Sequence, residues 1–170
     1  PVRTLVSGMG DALATYYEAR TCRENGRATT IAGERPTDLA FAIATLCRET
    51  LFEYGLEAKR SIEARVVTPA LEKVVEANVL LSGLGFESGG LSGAHGTIEG
   101  LTVLHDDPKY NISTLHGEEV AFGTIVLLVI EGRPFKEVEE VIKFCKLVGL
   151  PTTFEELGIG NITDEDLWKA

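Results

Sequence analysis

Cysteine is scarce in this sequence and badly spaced for cross-linking. The three residues, Cys22, Cys47 and Cys145, are odd in number and form no Cys-x-x-Cys pair, which excludes a disulfide framework and a zinc finger. They read as free thiols buried beside apolar neighbours, the usual state of unpaired cysteine in a reducing cytoplasm. Basic residues are also in deficit. Lys and Arg total 16 against 26 Asp and Glu, giving a net charge of −10 with no basic stripe. Like-charge repulsion then argues against nucleic acid or an anionic membrane as partner. No apolar run approaches the ~20 residues that span a bilayer, and the longest, Val120 to Ile130, suits a buried helix. Strand-like alternation is confined to Val66-Val67. Without a strand-turn-helix unit, and without Lys and Ser/Thr closing a glycine loop, no phosphate cradle is present.

What the sequence does have is helical periodicity. With 170 residues, 44 % of them hydrophobic, the chain can bury the core of one domain. A first helix is expected from about Met9 to Asn25-Gly26, where glycine supplies a left-handed stop. Residues 26–36 read as a loop. Thr37-Asp38 caps a helix carrying Leu39, Ile43, Leu46, Cys47 and Leu51 at spacings of three and four, and Gly55 is expected to break it before a short helix over 56–64. Thr68-Pro69 opens another helix, with proline where its missing N–H costs nothing. Later helices are expected from His116 to about Glu131, from Pro134 past Leu147, over Phe154 to Leu157, and over Thr163 to Trp168. The expected fold class is all-α.

All three histidines fall in one glycine-rich stretch, residues 83–123. His95 follows Gly89-Gly90-Leu91-Ser92-Gly93-Ala94 and precedes Ile98, Leu101 and Leu104, which places it in the first turn of a helix. His116 opens the next helix, followed by Gly117 and by Glu118 and Glu119, acids suited to a positive helix end. Two imidazoles at neighbouring helix starts can share a metal, although a lone histidine is more often a satisfied core or surface residue. Asp11, in Ser7-Gly8-Met9-Gly10-Asp11, is placed in the first turn of its helix, where the plain alternative is a capping aspartate. His105, beside Asp106, Asp107 and Pro108, reads as a loop residue. The glycines before His95 serve close backbone approach.

The lettering adds to this. GLGFESGGLSGAH and HGEEVAFGT, with Gly-Met-Gly-Asp upstream and GLPTTFEELGI downstream, closely resemble the metal-binding segment of the glycerol dehydrogenases, within the iron-containing (type III) alcohol dehydrogenase superfamily. The resemblance covers nearly the whole chain in the right order. It implies that Asp11, His95 and His116 are the three protein ligands of a catalytic metal. One carboxylate and two imidazoles suit zinc, iron also accepts them, and three ligands leave a coordination position open. The metal would lower the pKa of a substrate hydroxyl so that hydride passes to the nicotinamide of NAD, taking glycerol to dihydroxyacetone.

In that family an NAD-binding α/β domain precedes a helical domain of this kind, and the active site lies between them. The chain, which opens on Pro1-Val2-Arg3 and stops within a helical pattern at Ala170, therefore reads as one helical, substrate-side domain, residues 1–170, of a longer polypeptide that forms homo-oligomers. Cofactor-binding residues would lie mainly outside it. Two departures bear on substrate: Ile98-Glu99 stands where many relatives have His followed by Asn or Asp, and the 105–115 loop is longer than usual. The alternatives are another polyol dehydrogenase of the superfamily, a dehydroquinate synthase-like lyase, or a non-catalytic assembly module. The lyase family usually has glutamate at the position of Asp11, and its active-site lysines have no match here.

Overall fold

Helix α1, Val2–Asn25, runs through the middle of the molecule, and the other helices are laid around it. The structure, a computed structural model, describes residues 1–110 and 112–169. Met9, Leu13 and Tyr17 of α1 are wholly buried, each side chain contributing about 1.5–3 kcal/mol by leaving water. α2 spans Asp38–Glu63. α3, Pro69–Glu76, passes through a π-helical turn, Ala77–Leu81, into α4, Ser82–Gly89. α5 is Gly93–Leu101 with a 3₁₀ turn at Thr102–Leu104, α6 is His116–Ile130, α7 is Phe135–Val148 and α8 is Asp164–Lys169. Among the described residues there is no strand, so the all-α expectation holds and Val66-Val67 is an exposed link.

Local chemistry sets many of the boundaries. The Thr37 hydroxyl accepts the Ala40 N–H at 3.1 Å and the Thr68 hydroxyl accepts the Leu71 N–H at 3.3 Å, the latter ahead of Pro69 in the first helical turn. Gly26 and Gly149 end α1 and α7 in the left-handed conformation.

Four expectations need correction. α1 begins at Val2 rather than near Met9, because Leu5 and Val6 are buried and carry the helix two turns further back. Asp11 is therefore mid-helix and not in a first turn. Gly55 does not break α2. It lies inside the helix where a side chain would press on Phe144 and Met9, at 3.0 and 3.2 Å, so glycine answers a packing need there. Leu39 and Leu46 face solvent, and α2 instead buries Ala40, Ala44, Cys47, Leu51 and Ala58. The small face lets α2 approach Gly85 and Gly89 of α4 closely. Residues 154–157 form hydrogen-bonded turns, closed by Ile159 N–H to the Phe154 carbonyl at 2.9 Å, because a single turn cannot meet the cost of helix nucleation. The helical pattern expected to continue through Ala170 falls there on a residue outside the described ones, as does Asn111 of the 105–115 loop.

No described helix is long and apolar enough to cross a membrane; the apolar α6 is buried against α1 and α5 instead.

Candidate metal centre

Two helix crossings without side chains build the site. Gly10 of α1 meets Gly117 of α6 so closely that a Cβ on Gly10 would collide with the Gly117 carbonyl, and one on Gly117 with the Ser7 carbonyl. A second crossing sets Gly123 of α6 against the Ala94 carbonyl of α5. Each ligand candidate sits beside a crossing: Asp11 follows Gly10, His116 precedes Gly117, and His95 follows Ala94. The backbone contacts thus convert sequence distance into proximity.

The three side chains singled out in the sequence converge. One ligand atom from each of Asp11, His95 and His116 lies within 4.8 Å of the others. Asp11 Oδ1 is 3.4 Å from His95 Nε2 and 3.9 Å from His116 Nε2, and the two imidazole centroids are 5.5 Å apart. Ligands spaced tetrahedrally at zinc–ligand lengths stand about 3.4 Å from one another. The donor types and spacings therefore fit a zinc-sized ion. His116 opens α6 as expected, and its side chain is 61 % exposed against 43 % for Asp11 and 19 % for His95, so the cluster is walled on the His95 side and open on the His116 side. That open side is where a fourth ligand has access.

Glu18 was not anticipated. It is wholly buried on α1, two turns beyond Asp11 and on the same face. One carboxylate oxygen accepts the backbone N–H groups of Ser92 and His95 at 2.8 and 3.0 Å, and the other lies 2.6 Å from His95 Nδ1. The seven-residue interval between two acids on one helix was the available signal. Burial pushes the His95 pKa down, but the hydrogen bonds and charges of Asp11 and Glu18 outweigh it and hold the imidazole up at about 10.

His105 stays out of the cluster, as expected of a loop residue. It caps the 3₁₀ turn after α5, and its Nε2 is 3.1 Å from the buried Glu119, which also accepts the Thr114 hydroxyl at 2.6 Å. Glu118 and Glu119 are both buried, so the acids of the first turn of α6 act through specific partners. Glu118 binds Arg3 through both oxygens at 2.7 Å and accepts the Leu115 N–H at 2.7 Å, fixing the start of α6 against α1. Ile98 is core and Glu99 is exposed, so neither adds to the cluster.

No family model matches the chain. Among curated proteins it is 55 % identical over all 170 residues to a glycerol dehydrogenase of Thermotoga maritima, of which it covers 45 %. It is 45 % identical over 167 residues to a glycolaldehyde reductase of Halobacterium salinarum, covering 98 % of this chain and 44 % of that protein. The crystal structure of glycerol dehydrogenase from Schizosaccharomyces pombe superposes with a TM-score of 0.92 at 44 % identity, over 99 % of this chain and 42 % of that one. These helices are accordingly those of the dehydrogenase class. Within it, the chain is similar over its whole length to the glycerol dehydrogenases, and it spans less than half the length of the curated relatives it matches.

Proposed function

We propose that this chain is the metal-binding, substrate-side helical domain of an NAD-dependent glycerol dehydrogenase that oxidises glycerol to dihydroxyacetone. The observation that carries the reading is the convergence of Asp11, His95 and His116 in a chain so similar to glycerol dehydrogenases. In this reading the three side chains hold zinc, with iron as the other metal their chemistry accepts. Bound there, the ion supplies Lewis acidity toward a substrate hydroxyl.

The chain's own residues do the rest of the work on this side of the site. Asp11 brings the negative charge, His95 is held rigidly by Glu18, and His116 stands at the exposed edge where a polyol enters. The NAD-binding domain supplies the facing wall, the whole polypeptide is cytoplasmic, and it assembles as a homo-oligomer. Exposed apolar residues such as Val129, Ile130 and Phe135, at the turn between α6 and α7, are consistent with such assembly.

The similarity to a glycolaldehyde reductase favours one second reading, a related dehydrogenase acting on a different small hydroxy compound. Metal analysis of the intact protein, followed by NAD-linked assays with glycerol, other vicinal diols and glycolaldehyde, separates the two. Zinc or iron at one ion per chain with preference for glycerol supports the proposal. Turnover without any bound metal would overturn it.

A further inference from the structure

We infer that Glu18 is a positioning residue that sets the proton arrangement of His95 and thereby governs how tightly the Asp11–His95–His116 cluster holds a divalent ion. This rests on the metal reading proposed above.

Helix α5 has no cap of its own. Ser92, at its N-cap position, makes no capping hydrogen bond, and its hydroxyl is buried without a partner. The unsatisfied N–H groups of Ser92 and His95 turn to one oxygen of Glu18, delivered from α1 across the helix interface. The second oxygen faces His95 Nδ1 at 2.6 Å. A carboxylate only accepts hydrogen bonds, so Nδ1 must carry a proton when the ring is neutral, and the lone pair is left on Nε2, the nitrogen that faces Asp11. One buried side chain thus holds the start of α5 and aims the ligand atom of His95. Carboxylates behind metal-binding imidazoles are known to do the second task; here the cap and the aim share a single group.

That sharing makes the roles separable by substitution. In Glu18→Gln the side chain keeps one acceptor and gains a donor. The two backbone N–H groups demand the acceptor, so the amide nitrogen is turned toward Nδ1. Nδ1 must then accept, and the ring proton moves to Nε2, inside the cluster. The cap survives while the ligand atom is blocked. In Glu18→Ala both are lost, and two backbone donors are stranded.

The test measures zinc affinity of the intact protein by competition with a chromophoric chelator, in the parent, Glu18→Gln and Glu18→Ala forms. The thermal midpoint of each metal-free form and the imidazole NMR signals of each zinc-loaded form are recorded alongside. The expected result for Glu18→Gln is zinc binding weakened about 10–100-fold, a metal-free midpoint near that of the parent, and loss of the Nδ1–H resonance. Parent-like zinc affinity in Glu18→Gln would overturn the inference alone. So would a midpoint that falls as far as in Glu18→Ala, because Glu18 would then be structural only. Failure of the parent to bind either zinc or iron(II) would remove the metal reading and this inference with it.

Discussion

Gly117 lies against the Ser7 carbonyl with no room for a side chain, and this contact sets the separation of α1 and α6 beside the Asp11–His95–His116 cluster. The neighbouring residue on α6 is His116, and Asp11 is one turn along α1. Gly117→Ala is expected to push the helices apart, lowering stability by about 1–3 kcal/mol as overpacked interiors do. It should also widen the Asp11–His116 gap, now 3.9 Å, and weaken metal binding. Thermal unfolding with and without zinc checks both effects. An unchanged stabilisation by zinc would mean that the cluster does not depend on this crossing.

His116→Ala and His105→Ala should differ in kind. His116 is mostly exposed and belongs to the cluster, so its removal should cost metal affinity and turnover together with little loss of metal-free stability. His105 pairs with Glu119 outside the cluster, so its removal should cost about 1 kcal/mol of stability and leave zinc affinity near normal. Chelator competition on both variants is the measurement. Equal losses of zinc affinity would show the ligand assignment to be wrong.

Much of this arrangement was legible in the sequence. Thr37, Thr68-Pro69 and Gly149 carry local boundary signals that no tertiary contact overrides. The grouping of Asp11, His95 and His116 came from resemblance, because periodicity can place a residue on a helix but cannot say which helices meet. Gly55 looks like a helix breaker in a local window, yet it stands inside α2 where a side chain would press on Phe144, and Gly8 and Gly10 lie inside α1 where one would strike Asn78 or Gly117. The energy that keeps those helices intact comes from close packing, which a window of one helix does not contain. Leu39 and Leu46 were misplaced for the converse reason, since Ala40 and Ala44 take the stretch of α2 that lies against Gly85 and Gly89 of α4 and turn those two leucines to solvent. Glu18 was overlooked because a buried acid is legible only beside its donors, and those lie on α5.

Acid should weaken the fold partly through Glu118. The hydrogen bond from Arg3 is the main reason its pKa lies below the ordinary carboxylate value, with the Leu115 N–H assisting and burial opposing. A carboxyl with a lowered folded-state pKa adds stability that is fully present above its unfolded value, near 4.5, and is lost as pH falls through the folded value below it. Glu118→Gln should therefore melt lower than the parent at pH 7, with the difference shrinking below about pH 4. Melting curves across this range check it. A constant difference at all pH values would mean that the Arg3 pair contributes no linkage.

Protons should compete with the metal at His95. Its folded-state pKa of about 10 in the metal-free protein stands above the unfolded value of 6.5, so this contribution to stability is fully present below pH 6.5 and is lost as pH rises through 10. A metal-bound Nε2 carries no proton. Between those limits, zinc binding should release about one proton from His95, and apparent affinity should rise up to about tenfold per pH unit. Calorimetry in buffers of different ionisation enthalpy measures the release directly. Zinc binding at pH 8 with no proton released would show that His95 is already neutral, or is not a ligand.

Residues 1–170 alone, supplied with zinc and NAD, should not oxidise glycerol. Hydride transfer needs the donor carbon and the nicotinamide held in near-attack contact, and such positioning can supply about 7–11 kcal/mol of the barrier. The cluster here is open on one side, with His116 and Asp11 facing solvent, and no strand among the described residues offers a dinucleotide-binding unit. In the proposed reading this wall orients the polyol and the NAD-binding domain holds the acceptor opposite it. Zinc should still bind, since all three donors belong to this chain. The measurement is titration with NAD by calorimetry, then an assay with saturating glycerol and zinc. Binding of NAD with steady formation of NADH would show that the chain is a complete enzyme and that its site needs no second domain.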